Sequence, residues 1–213
     1  MMNNKIAING FFGRMGQAIY ELSLKQNFDV TVGVDLKEKL SSNLDLKFSD
    51  NLSEHSGSFD VVIDFSLPEP CVEAVKECQK LNKPITIGTT GFSAEQKKIL
   101  TDAGKEIPLL LAPNMSIGVN ASLRSISELS KVLSGYDVSI EETHHKNKLD
   151  SPSGTALKIA EVIAEARHSS PSDINIKSFR EEGEVGVHKT IFRSSDDEII
   201  IYHNAYNRTI FAQ

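Results

Sequence analysis

The chain has 213 residues, a formal net charge of −6 and 39% hydrophobic residues, enough for one large or two small domains with a real core. The mildly acidic balance argues against a nucleic-acid partner, no apolar run approaches the length that spans a bilayer, and MMNNKIAING lacks a signal-peptide layout. A cytoplasmic protein with neither a nucleic-acid nor a membrane partner is expected.

From the N-terminus, KIAIN reads as a short buried strand, Gly10-Phe11-Phe12-Gly13-Arg14-Met15-Gly16 as a loop and RMGQAIYELSLKQ as a helix. A glycine loop between strand and helix lets backbone N–H groups approach a pyrophosphate at the helix start. The spacing is G-x-x-G-x-x-G, with Phe12 where the commoner fingerprint has its middle glycine; alone, it equally fits a tight strand-to-helix turn. VTVGV is a second strand ending at Asp35, nineteen residues past Gly16. A carboxylate there can accept hydrogen bonds from an adenosine ribose; the plainer alternative is an exposed loop aspartate. Leu36 follows rather than an arginine, and Lys37 and Lys39 lie near enough for a 2′-phosphate but lack the planar fork. The cofactor expectation therefore leans to NADH over NADPH, or to use of both.

FDVVIDFS is a third strand, and PEPCVEAVKECQKL a helix carrying Cys71 and Cys78, the only cysteines. They read as two reduced helical thiols; with no further ligands nearby, no metal is expected. KPITIGTTG is a strand running into Gly88-Thr89-Thr90-Gly91, SAEQKKILTDAG a capped helix, and IPLLLAPN a strand running into Ala112-Pro113-Asn114-Met115. Strands with continuous apolar runs, separated by helices, indicate parallel βαβ units. Ligands of such sheets bind beyond the carboxyl ends of the strands. Both late loops thus join the cofactor candidates, although each alone is also an ordinary loop.

Past a boundary near Pro113 to Ser116 the pattern changes. VNASLRSISELSKVL is a long helix, YDVSIEETHH a strand and ALKIAEVIAEA a helix, followed by INIKSFRE, VGVHKTIFRS and EIIIYHNAY with little helix between them. A mostly antiparallel, open sheet with helices to one side is expected. Between strand and helix lies THHKNKLDSPSGTA, residues 143–156. Ser153 suits the N-cap of the helix, whose free N–H groups and dipole favour an anion. With Lys148 and the histidines upstream, this makes a small cationic pocket for a carboxylate. Adjacent residues on an extended chain point opposite ways, so His144 and His145 do different jobs. Imidazole suits general acid–base work, lysine offers a second proton or a fixed charge, and Asp150 holds Lys148 or begins the turn. The plainer alternative is a solvated loop before a capped helix.

These segments carry a resemblance. GxxGRMG near the N-terminus, GTTGF, APNMSIGVN, E-x-HHxxKxDxPSGTA, EEGEVGVHKTIF and HNAYNRTIFA resemble the 4-hydroxy-tetrahydrodipicolinate reductase family, also called dihydrodipicolinate reductase, from Lys5 to Gln213. The resemblance implies an enzyme of the diaminopimelate route to lysine in which NADH or NADPH gives hydride to a cyclic, imine-containing dicarboxylate and water is lost. It implies an α/β architecture: a Rossmann-like parallel-sheet domain over residues 1–115, and an α+β substrate and oligomerisation domain over 116–207 with a mixed or antiparallel open sheet. It further implies a C-terminal segment from 208–213 that starts back to the first domain, closure between the domains, and a homotetramer assembled through the second sheet. By motif, His144 is the proton donor or acceptor and Lys148 the second proton donor. His145, Gly154 and Thr155 contact substrate, with Ser153 close by. Gly10, Phe11, Phe12, Gly13, Arg14, Met15, Asp35, Gly88, Thr89, Thr90, Ala112, Pro113, Asn114 and Met115 line the cofactor. The sequence departs from the family in the bulk of Phe11 and Phe12, in Leu36 replacing a basic residue seen in some members, and in ending at Phe211-Ala212-Gln213, where similar proteins continue with a further helix. Two other readings share the cofactor loop. A dinucleotide-binding sensor would not depend on His144 or Lys148, and a nicotinamide dehydrogenase for another amino-acid-derived substrate would not need the whole 143–156 motif.

Overall fold

The computed structural model describes residues 4–39, 44–146, 148 and 150–212. The chain divides into two compact units, Met1–Pro113 with Ala212–Gln213, and Asn114–Phe211.

The first unit is a six-stranded sheet in the order β3-β2-β1-β4-β5-β6, every pair parallel. Its strands are β1 (Lys5–Asn9), β2 (Asp29–Val34), β3 (Lys47–Ser49), β4 (Val61–Asp64), β5 (Ile85–Ile87) and β6 (Leu109–Leu111), with helices α1 (Arg14–Gln26), α2 (Pro68–Leu81) and α3 (Ala94–Ala103). This is the doubly wound order whose direction reverses between β1 and β4, where such sheets open a crevice. The continuous apolar runs of the strands are buried: Ala7, Ile8, Val32, Val62 and Ile87 are fully covered. α2 takes Pro68 and Pro70 into its first turn, where a missing N–H costs nothing, and ends on Asn82 in the left-handed region. α3 starts with a complete capping box between Ser93 and Gln96.

β3 is the strand that sequence reasoning missed. It is three residues long, too short for a period, and its strand character comes from pairing with β2. Phe48 on it packs against Phe11 and Phe12, with ring centroids 5.2 and 5.4 Å apart.

The second unit is a four-stranded sheet in the order β10-β9-β7-β8. It consists of β7 (Asp137–His145), β8 (Asn175–Glu181), β9 (Gly186–Arg193) and β10 (Glu198–Ala205), with helices α4 (Ile117–Val132) and α5 (Gly154–Arg167). The sheet is mixed and mostly antiparallel, as expected: β9 runs antiparallel to both β7 and β10, and β8 runs parallel to β7. The cause is α5, the crossover helix that returns the chain to the starting edge. Ser116 and Ser153 cap α4 and α5 and start both helices two residues before the apolar pattern does.

One face of this sheet packs under α4 and α5. Ile140, Phe192 and Ile174 join Ile126 of α4 and Ile159 and Ile163 of α5 in one core. Side chains alternate across a strand, so the register sets rows on that face. Val138 on β7 stands opposite Phe192 on β9, and with Ile140 they begin the face as an apolar block. Two residues further along β7 the same face turns polar.

Candidate functional site

In the first unit the glycine loop is tightly self-bonded. The N–H groups of Gly10 and Phe11 both donate to the carbonyl of Val34 (2.9 and 3.1 Å), that of Gly13 donates to Gly10 (3.0 Å), and that of Phe12 donates to Asp35 Oδ2 (2.8 Å). Gly10 holds φ +79°, and a Cβ there would lie 2.7 Å from the carbonyl oxygen of Phe65, so only glycine fits. Phe11 is fully buried among Tyr20, Phe12 and Phe48. The bulk in the loop thus serves the core, and Phe11 offers no side chain to a cofactor. Gly13 caps α1 without a side chain, which leaves the N–H groups of Arg14 and Met15 without partners inside the helix. An anion would be met by those two groups and the helix dipole.

Beside this loop is a cavity of about 620 Å³ lined by Gly10, Gly13, Asp35, Leu36, Lys37 and Ser66, with Glu38, Asp50, Glu73 and Glu77 on its walls. Its size and its position at the β1/β4 reversal suit a nucleotide cofactor. Asp35 is no free loop aspartate: besides Phe12, it accepts from the N–H of Leu36 at 2.8 Å, so its carboxylate ties β2 to the glycine loop. The side chain of Lys39 lies outside the described residues. Gly88, Thr89 and Thr90 follow β5, and Ala112 and Pro113 follow β6, at the same edge of the sheet but not on this cavity. Thr89 has a role sequence reasoning did not assign. Its hydroxyl donates to fully buried Asp64 (2.5 Å), which also accepts from Asn9 Nδ2 (2.5 Å) and Ser66 Oγ (2.9 Å). This carboxylate joins the ends of β1, β4 and β5 and fixes the loops around the crevice.

The predicted groups Asn114, His144, Lys148, Ser153, Gly154 and Thr155 all fall in the second unit. Asn114 Nδ2 donates to Thr155 Oγ1 at 2.9 Å, and Asn114 Oδ1 accepts from the N–H of Ser116 at 2.9 Å, so this residue pins the first turn of α5 to the start of α4. Met115 lies between Asn114 and Ser116 in the same link. Ser153 caps α5, its Oγ accepting from the N–H of Ala156 at 3.1 Å. The first-turn N–H groups of Gly154 and Thr155 have no partners within the helix and suit a carboxylate. Lys148 pairs with Asp150 at 2.8 Å, which settles the role of that aspartate. His145 follows His144 at the end of β7, one pleat over.

The polar part of the helix-covered face was not visible in any single motif. Glu142 on β7 stands opposite Ser178 on β8 and His188 on β9, and His188 stands opposite His203 on β10. Two residues on, His144 stands opposite Arg180. Glu142 is fully buried; its Oε1 accepts from Ser178 Oγ (2.7 Å) and from the N–H of Ser153 (2.9 Å), while Oε2 lies 3.6 Å from both His144 Nδ1 and His188 Nε2. The rings of His144 and His188 meet edge to face at 5.1 Å. Burial would raise the pKa of Glu142, but its contacts with His188, Ser153 and Ser178 outweigh that and hold it below the usual carboxylate range. His144 is pushed down to about 4, first by burial and then by the neighbouring His188; Glu142 pulls the other way, and Lys148 and Arg180 add to the depression. The ring nitrogens and carboxylate oxygens of Glu142, His144 and His188 lie within 4.8 Å of one another, so the three form one tightly coupled cluster. Alternation was the available signal: Glu142 and His144 are two apart on a strand and must share a face.

Comparison with known proteins bears on the family and the fold. The family models described as dihydrodipicolinate reductase, N-terminus, and dihydrodipicolinate reductase, C-terminus, match residues 4–115 and 118–213. The 4-hydroxy-tetrahydrodipicolinate reductase of Caldanaerobacter subterraneus subsp. tengcongensis is 38% identical, covering 97% of this chain and 88% of that protein. The protein of the same name from Buchnera aphidicola subsp. Cinara cedri is 34% identical over 98% of this chain and 88% of its own length. Among solved structures, dipicolinate-bound dihydrodipicolinate reductase from Paenisporosarcina sp. TG-14 superposes with a TM-score of 0.81 at 27% identity, covering 99% of this chain and 91% of that one. With both halves of its length matched, and with the parallel and mixed sheets in that order along the chain, this protein belongs to the dihydrodipicolinate reductase family.

Proposed function

We propose that His144 is the proton donor of the family's reaction in this chain, with Lys148 and the start of α5 receiving the carboxylates of the substrate. Membership makes the chain an NAD(P)H-dependent oxidoreductase, reducing 4-hydroxy-tetrahydrodipicolinate to tetrahydrodipicolinate with loss of water in the diaminopimelate route to lysine. The observation that carries the residue assignment is the placement of the His144 imidazole, the Lys148 ammonium and the first turn of α5 in one unit: Lys148 acts electrostatically on His144, and Glu142, 3.6 Å from His144 Nδ1, accepts from the N–H of Ser153 at the start of α5. Bound NAD(P)H supplies the hydride. The net reaction also consumes one proton, which His144 delivers. Lys148, His145, Gly154 and Thr155 hold the dicarboxylate, and Ser153 keeps the helix start in place.

In the first unit, the N–H groups of Arg14 and Met15 receive the pyrophosphate and Asp35 the ribose, with the loops at Gly88–Thr90 and Ala112–Pro113 along the same edge. The choice of cofactor falls to NADH. Lys37 is the one basic side chain among the described residues lining the cavity, against Asp35, Glu38, Asp50, Glu73 and Glu77, and an extra phosphate would be repelled there. A homotetramer forms through the uncovered face of the second sheet, where Phe179, Ile200 and Tyr202 are exposed.

A coupled assay tests this. Pyruvate, aspartate semialdehyde and the upstream synthase generate the substrate in place, and NADH and NADPH oxidation are compared. Synthase-dependent oxidation is expected, faster with NADH. His144→Gln is expected to lower turnover roughly 10²–10⁴-fold with NADH affinity nearly unchanged; a near-normal rate would remove His144 from the donor role.

A further inference from the structure

The reaction as assigned leaves one arrangement unexplained: a fully buried carboxylate set between two imidazoles. Glu142 needs no partner for Oε1, which has two donors. Its Oε2 has no hydrogen-bond partner among the described residues, and neither has His144 Nδ1, yet they face each other at 3.6 Å. Buried polar groups left in this state are costly and need a reason. His188 closes the other side of Oε2 at 3.6 Å and is itself held by Ser153, with His188 Nε2 and Ser153 Oγ 3.2 Å apart. His144 Nε2 points away from Glu142, toward Gly186, where the absence of a side chain leaves it room.

We infer that Glu142, steadied by His188, is a positioning residue for the proton donor: it fixes His144 with Nδ1–H toward the carboxylate and Nε2 toward substrate, so that the ring takes up a proton as a dicarboxylate binds. This rests on the assignment of His144 as donor. The charges around the ring explain why uptake awaits the ligand. Glu142 on β7 favours the imidazolium. His188 on β9, Arg180 on β8 and Lys148 in the following loop oppose it, as does burial, while Asp150 neutralises Lys148 and His203 on β10 faces His188. A bound dianion offsets the cationic side of this balance, and Glu142 then has a full imidazolium to hold. The proton taken from solvent onto Nε2 passes to substrate, and the neutral Nδ1–H ring is restored.

The first test needs no substitution. Long-range ¹H–¹⁵N spectra of the imidazoles are recorded on the EDTA-treated full chain, with and without dipicolinate, and proton uptake is measured by calorimetry in buffers of different ionisation enthalpy. The neutral Nδ1–H tautomer of His144 is expected without ligand, with uptake of about one proton on binding. The Nε2–H tautomer, or binding without uptake, overturns the inference. The second test is Glu142→Gln. Loss of the negative charge lowers the pKa of His144, so the descending, high-pH limb of kcat should move to lower pH by roughly one unit. kcat should fall roughly 10–100-fold with KM little changed. An unmoved limb overturns the inference, and if the variant does not fold, the tautomer measurement on the unaltered chain decides. His144→Gln separates the two levels: a retained rate defeats the donor assignment itself, whereas a lost rate beside an unmoved Glu142→Gln limb defeats only the role of Glu142.

Discussion

His144 meets Gly186 one step past the last paired residues of β7 and β9, Thr143 and Val187. A Cβ on residue 186 would stand 3.1 Å from His144 Nε2 and 3.3 Å from its Cδ2. The ring is buried and has little room to yield, so Gly186→Ala should displace the donor atom while the sheet still forms. Turnover is expected to fall about tenfold with thermal stability nearly unchanged, since small misplacements of a reacting group are costly; a normal kcat would show that the ring shifts freely. The same histidine couples folding to pH. Folded, it titrates at about 4, against an ordinary value of 6.5. Between those values the unfolded chain binds a proton that the folded chain refuses. Stability is therefore full above about pH 6.5 and is lost as pH falls toward 4, on the order of 3 kcal/mol at about 1.4 kcal/mol per unit. Glu142, held below its ordinary range, adds its own loss at still lower pH. Melting curves from pH 7.5 to 4.5 should fall more steeply for the unaltered chain than for His144→Gln, and parallel curves would refute the linkage.

Among the elements, α2 gives the cleanest agreement between sequence and structure and a direct test. Cys71 and Cys78 are seven residues apart, two turns along the buried side of the helix, and both thiols are free and fully covered. Burial pushes Cys78 up to about 12 and Cys71 further, with Asp64 adding to the rise. Neither forms thiolate near neutrality. Thiol reagents should leave both untouched in the folded chain and label both in denaturant; rapid labelling of the native protein would contradict the packing of α2. Long periodic segments such as α2, α4 and β7 were legible because their own residues specify them. β3 was not, because three residues carry no period and its strand form is imposed by β2 and by the contacts of Phe48. The parallel setting of β8 was legible in principle from the helix between it and β7, but its short apolar run reads alike in either direction.

At the scale of the whole molecule, local motifs were visible and cross-strand partners were not. The HHxxK and PSGT groups lie close together in sequence, whereas Ser178 and His188 come from strands 36 and 46 residues beyond Glu142 and meet it only through register. The crevice likewise showed its glycine loop in the sequence but not Asp64, whose neighbours Asn9 and Thr89 are 55 and 25 residues away. The uncovered sheet face carries the expectation for assembly. Tyr202 is 55% exposed and Ile200 47%, and a tetramer through this face would cover them. Tyr202→Lys should shift sedimentation toward a single chain; if the unaltered chain already sediments as a monomer, the proposed face has no partner. The row of Ser178, Glu142, His188 and His203 crosses all four strands of that sheet. Its neighbours are isoleucine and phenylalanine, and hydrocarbon side chains in its place would remove several buried polar atoms that have no partner among the described residues, His188 Nδ1 and His203 Nδ1 among them. The sheet is therefore frustrated at one end, and substitutions that relieve this, His203→Leu for example, would yield a more heat-resistant protein from the very row that its chemistry keeps imperfect.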